Sequence, residues 1–158
     1  MKRIGWPVTL AAIAFLVSCG DDSSGPTIEF PSLPAAVVAE LCVRGNLTAG
    51  QNVDATLADT DCDLGDSYFE TYVVKVAGNR SVDISMESTV FDTYLFLLRL
   101  NSFTADSADV TLIAQDDDSG TDTNALIDNV ALDAASDYIV VANGFDYADV
   151  GAYTLRIQ

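Results

Sequence analysis

Val82-Asp83-Ile84-Ser85-Met86-Glu87 alternates apolar and polar side chains without a break. An extended strand turns successive side chains to opposite faces, so one face here meets a core and the other meets water. The same period runs outward in both directions. Upstream, Tyr72, Val74 and Val76 alternate with Thr71 and Lys75; downstream, Tyr153, Leu155 and Ile157 alternate with Thr154 and Arg156. Tyr94 to Leu100 is apolar on both faces apart from Arg99, and Tyr138 to Ala142 is similar, which predicts central strands. Turn residues punctuate the runs at Ala77-Gly78-Asn79, Asn101-Ser102, Asp116 to Asn124, Ala134 to Asp137 and Asn143-Gly144. Strands are expected at 51–57, 68–77, 80–88, 92–101, 109–116, 125–132, 137–143 and 151–158. About eight short strands at this spacing predict an all-β, antiparallel β-sandwich of jelly-roll type in a single domain.

The chain opens differently. Met1-Lys2-Arg3 is basic, and Ile4 to Val17 is nearly free of polar residues. That stretch is shorter than the roughly 20 residues of a membrane span and has the layout of a secretory leader. Leu16-Val17-Ser18-Cys19 resembles the lipobox of bacterial lipoproteins. The resemblance implies a signal peptide over 1–18, cleavage before Cys19, and acyl chains such as palmitate on that cysteine as a membrane anchor. A plain leader cut near Ser18 is the competing reading. Residues 19–40 read as lipidated cysteine plus flexible tether, from Gly20-Asp21-Asp22-Ser23-Ser24-Gly25-Pro26 through Pro31 and Pro34. A short helical or irregular piece is allowed for at Ala35–Glu40. The domain is expected over 41–158.

The whole chain has 7 basic and 24 acidic residues, a formal charge of −17. Lys2 and Arg3 belong to the leader, so 5 basic residues face the same 24 acids beyond it, a charge of −19. Such a surface repels nucleic acid and favours solubility or cation binding. The chain has no His, which removes Ser-His-Asp and Cys-His nucleophile activation. Cys42 and Cys62 are the two thiols beyond Cys19, and an oxidising compartment favours a disulfide between them over two free buried cysteines.

Residues 47–158 also resemble the bacterial pre-peptidase C-terminal domain family. The resemblance rests on Leu47-Thr48-Ala49-Gly50-Gln51, on Thr60-Asp61-Cys62 with Ser67 to Tyr72, and on Ser88-Thr89-Val90-Phe91-Asp92-Thr93-Tyr94-Leu95. Ala114 to Asp118, Leu132 to Val141 and Gly151 to Leu155 continue it in the family's order. It implies a jelly-roll-like, non-catalytic sandwich appended to exported proteins, with relatives that bind calcium and extracellular polymers. Gln115 stands where the family has Asn, and no peptidase domain accompanies the motifs.

Two sites stand out. Asp116, Asp117, Asp118 and Asp122 lie on one Gly-containing loop and are the candidate ligands of a calcium ion, which takes 6–8 oxygens. The loop is not an EF-hand, since Gly120 is fifth rather than sixth and Ile127 is twelfth. The preferred alternative is a hairpin whose Asp and Asn side chains bond their own backbone. Within Phe91-Asp92-Thr93-Tyr94, Asp92 is expected to accept turn amides while Phe91 and Tyr94 pack inside; the alternative makes Asp92 a ligand for a cation or a polymer. Tyr68, Phe69, Phe145 and Tyr147 are candidate contact aromatics, with Phe145 and Tyr147 preferred because their segment reads as a loop.

The expected role is a non-catalytic binding or structural module held in the cell envelope, on the periplasmic side or the cell surface, with the outer membrane favoured. A second reading is a calcium-dependent adhesin or binder of an extracellular protein or polysaccharide. A third, a carboxylate-pair hydrolase, needs two facing acids, one of them buried; the acids here read as lying on turns and outer faces. No nucleic-acid partner and no cofactor other than calcium are expected.

Overall fold

A computed structural model describes residues 28–158. The expected leader, Cys19 and the first part of the expected tether lie outside the described residues. A short helix, α1 (Ala35–Glu40), precedes ten strands: β1 (Val43–Thr48), β2 (Asn52–Leu57), β3 (Cys62–Asp63), β4 (Tyr68–Lys75), β5 (Arg80–Glu87), β6 (Thr93–Phe103), β7 (Ala108–Asp116), β8 (Ala125–Leu132), β9 (Asp137–Gly144) and β10 (Gly151–Ile157). They form two sheets. The larger runs β1-β4-β9-β6-β7, with β3 also on β4; the smaller runs β2-β10-β5-β8.

All eight expected strands are present, and β1 and β3 are additional. β1 carries Arg44, Gly45 and Asn46, which are poor strand formers alone. It is held by parallel pairing with β4, from Val43 opposite Thr71 to Thr48 opposite Lys75. The other pairings are antiparallel, so the expected antiparallel sandwich holds apart from this one edge.

Val82, Ile84 and Met86 of β5 interleave with Tyr153, Leu155 and Ile157 of β10, and with Tyr72, Val74, Leu95, Leu97 and Val140 of the larger sheet, in one dry core. Each fully buried aliphatic side chain there contributes roughly 1.5–3 kcal/mol. β9 and β6 are apolar on both faces because the outer face of the larger sheet is covered too. Leu33 and Leu41 pack on a second cluster built from Leu100, Ile139 and Val141, with Phe69, Phe96 and Leu98 beside them. Val37 of α1 is wholly buried. A six-residue helix has too few hydrogen bonds to persist alone, so this docking holds it. The expected flexible segment over 19–40 is therefore corrected at its C-terminal end: the chain is packed on the sheet by Leu33, because apolar side chains there cover β9 and β6. Cys42 and Cys62 form a disulfide, tying the end of α1 to β3.

Candidate functional site

The start of β6 organises one end of the sandwich. The Ser88 hydroxyl accepts from the amides of Val90 (3.1 Å) and Phe91 (3.3 Å) and donates to the Ala152 carbonyl (2.9 Å). Asn124 caps the Ser88 amide at 2.7 Å. Phe91 is thereby turned into the core, edge-on to Tyr153 with ring centroids 6.5 Å apart. Thr93 also points inward; its hydroxyl donates to the Met86 carbonyl (3.0 Å) and accepts from the Ala125 amide (2.8 Å).

Period two then puts Asp92 and Tyr94 on the outer face. The expectation that Tyr94 packs inside beside Phe91 is corrected, since Tyr94 follows the inward-facing Thr93 on β6 and so turns outward. Tyr94 lies 4.4 Å from Phe96 and 6.2 Å from Phe145 between ring centroids. The expected role of Asp92 is corrected too. Ser88 and Asp149 take the turn amides: Asp149 Oδ1 accepts from the Asp92 amide (3.2 Å) and Oδ2 from the Asp146 amide (3.0 Å). Asp92 Oδ1 is buried with no partner. So is Oδ1 of Asn143, a residue only 2% exposed. Asn143 lies on β9 directly opposite Tyr94. Burial, with Asp118, Asp149, Asp117 and Asp146 adding repulsion, raises the Asp92 carboxyl above the usual carboxylate range.

The four loop aspartates behave differently from one another. Asp116 Oδ2 accepts from the amides of Leu126 (2.7 Å) and Ser119 (3.0 Å). Burial opposes its charge, but those donors prevail and hold its carboxyl below the usual range. Asp122 is exposed, with a left-handed backbone at φ 58°. Asp117 and Asp118 act electrostatically on Asp92 from the end of β7. Among the described residues no three His, Cys, Asp or Glu side chains stand ready as a metal cluster.

On the other flank, Phe145 and Tyr147 are 52% and 45% exposed. The Tyr147 hydroxyl donates to Asp63 (2.9 Å), and its ring lies 5.2 Å from that of Tyr68. Gly144 admits no side chain, because a Cβ there would run into the Asp149 carbonyl. The two aromatics are thus presented on a loop pinned by Asp149.

With this geometry, the chain is similar to the crystal structure of the pre-peptidase C-terminal domain of collagenase from Bacillus anthracis. The match has a TM-score of 0.52 at 13% identity and covers 72% of this chain and 93% of that chain. The fold is pre-peptidase C-terminal-like. No family model and no curated protein matches the chain. The motif resemblance of residues 47–158 therefore stands at the level of the fold.

This pre-peptidase C-terminal-like sandwich holds one acid that the outer-face expectation missed. Glu70 is 4% exposed and faces the inside of the sandwich. It accepts from Arg44 Nε (2.9 Å), from Tyr72 (3.1 Å) and, closely, from Tyr153. Arg44 also pairs with Asp61. Burial, opposed in part by the bond to Tyr153, pushes the Tyr72 hydroxyl up to about 12; burial and the bond to Glu70 raise Tyr153 further. The signal was in the alternation, since Glu70 continues the inward series of Tyr72 and Val74 backwards. Every neighbour of Glu70 saturates it, which suits a bolt between the sheets rather than a proton-transfer group. Asp54 and Glu87, which line the same open groove, are exposed and bonded to Thr154 and Arg156.

Proposed function

We propose that this chain is a lipid-anchored, non-catalytic module of the bacterial cell envelope. The observation that carries the reading is the order of features along the chain. A basic start and an apolar run lead to Leu16-Val17-Ser18-Cys19, then a polar stretch, then a sandwich that packs from Leu33 onward. Acylation of Cys19 would tether the sandwich to a membrane surface, since each buried CH₂ of an acyl chain adds about 0.8 kcal/mol. The non-catalytic part rests on the pairing of Glu70, Asp54 and Glu87 and on the likeness to a domain appended to a collagenase. Metabolic labelling with palmitate in a bacterial host tests the anchor. Wild type takes up label and fractionates with membranes; Cys19→Ala does neither. Equal labelling of the two would overturn the anchor.

The exposure of Phe145 and Tyr147 on a pinned loop favours one refinement, contact with an extracellular protein or polysaccharide through that face. Pull-down on matrix proteins and glycans should then fail for the Phe145→Ala, Tyr147→Ala double variant and succeed for wild type.

A further inference from the structure

β7 ends the larger sheet and pairs on one side only, with β6. Among the described residues no other backbone group bonds the stretch from Asp109 to Gln115. A free edge of this kind offers amides and carbonyls to any extended chain, and proteins guard it with charges, breaks or a cover. The other edges are guarded in this way. β1 carries Arg44 and Gly45, and β2 has Asp54 at its middle. β8 is interrupted by Asp128 and by Asn129, whose backbone is left-handed at φ 50°.

β7 has no such charge. Val110-Thr111-Leu112-Ile113-Ala114-Gln115 is free of charged residues, glycine and proline, a composition that pairs readily with another strand. On the outer face Val110 lies opposite Leu100 and Leu112 opposite Leu98, so the apolar surface runs out to the edge. Leu112 is 52% exposed there. Ile113 has no counterpart on β6, and this bulge ends the regular ladder after Leu112. The stretch Ala108 to Leu112 is thus the part able to take a further strand.

Charge selects the partner. Asp106 and Asp109 lie at one end of the edge, and Asp116, Asp117 and Asp118 at the other. Arg99, the basic residue of β6, is bonded to Asn101. Antiparallel pairing of two copies about Leu112 would set Asp106 of each opposite Asp118 of the other, and like charges so placed are destabilising. The formal charge of −17 on each copy adds to that repulsion.

We propose that the free edge of β7 docks an extended segment of a partner protein in which apolar residues alternate with Lys or Arg. The segment adds a strand to the larger sheet. Main-chain pairing supplies affinity, its apolar side chains lie beside Val110 and Leu112, and its basic ones share the face of Asp109. The surrounding acids steer it in. This docking needs neither acylation of Cys19 nor the loop of Phe145 and Tyr147.

The test uses the full-length chain and a fluorescently labelled synthetic peptide of alternating valine and lysine. Its N-methylated counterpart keeps the charges but loses the amide donors. Anisotropy at near-physiological salt should show binding of the first peptide and none of the second. Hydrogen exchange should slow at the amides of Asp109 to Leu112 when the first peptide is added, and on no other strand. Leu112→Lys should keep its Tm and weaken binding several-fold. Leu64→Lys, at an exposed apolar residue outside β7, should leave binding unchanged, as should the Phe145→Ala, Tyr147→Ala double variant. No binding by about 1 mM peptide would overturn the proposal. Equal binding of the N-methylated peptide, or protection away from β7, would overturn it too. A dimer of the chain alone that Leu112→Lys dissociates in sedimentation would do the same, because the edge would then belong to a second copy.

Discussion

Glu70 shows how one side chain can join two sheets. It sits on β4, and the hydroxyl nearest it comes from Tyr153 on β10 in the opposite sheet. Replacing it with Ala leaves Arg44 with Asp61 alone, and leaves the Tyr72 and Tyr153 hydroxyls with only each other at 3.1 Å. Orphaning such groups costs about 1–3 kcal/mol. The full loss for a buried ion pair, about 3–5 kcal/mol, does not apply, because Arg44 is half in water. Urea denaturation of Glu70→Ala should show a drop in that lower range, and a change below about 0.5 kcal/mol would remove its role as a bolt. Asp133 offers a pH-dependent counterpart. Its carboxylate accepts from Ser136 (2.9 Å), Tyr138 (3.1 Å) and the Ala135 amide (3.0 Å), and the Ser136 bond leads the effects that lower its pKa. A depressed folded pKa means the unfolded chain binds the proton more readily. The stabilisation is thus full above the unfolded value, about 3.9, and fades as pH falls through the folded one. Asp133→Asn should be less stable than wild type at neutral pH, and the gap should close on acidification through that window. A gap that is constant with pH would contradict the assignment.

At the scale of elements, strands read from a period of two came out as strands, while β1 and α1 owe their existence to neighbours. β1 needs the edge of β4, and α1 needs the apolar outer face of β9 and β6. The disulfide staples both: Cys42 follows α1 and Cys62 opens β3, 20 residues later. In the chain-entropy model a loop of that length contributes about 3 kcal/mol. Replacing both cysteines with Ala should shift the denaturation midpoint by about that amount, and a reducing agent should do the same to wild type. A midpoint that ignores both treatments would show the loop to be held by packing alone. The acidic loop after β7 was legible as acidic, but its division of labour was not. Whether Asp116 bonds the amide of Leu126, ten residues on, or turns towards a metal depends on where β8 begins relative to β7.

At the scale of the whole molecule, most strand neighbours are distant in sequence: β4 lies between β1 and β9, and β10 between β2 and β5. Loop closure must precede those contacts, so refolding in milliseconds to seconds is expected rather than microseconds. All four prolines, Pro7, Pro26, Pro31 and Pro34, precede α1, so no strand waits on proline isomerisation. Stopped-flow refolding with the disulfide intact, followed by tyrosine fluorescence because the one tryptophan, Trp6, precedes every strand, should lack a major phase of tens of seconds. A dominant phase that slow would contradict this picture of folding. The sequence by itself determined eight of the ten strands, the inward face of most of them and the acidic loop after β7, because side-chain alternation and turn chemistry are local and need only a few consecutive residues. The tertiary structure alone decided the parallel place of β1, the burial of Glu70 between two tyrosines, and the pairing of Tyr94 with Asn143. Each of those joins residues far apart in the chain, and no short window of sequence encodes which distant strand will be its neighbour.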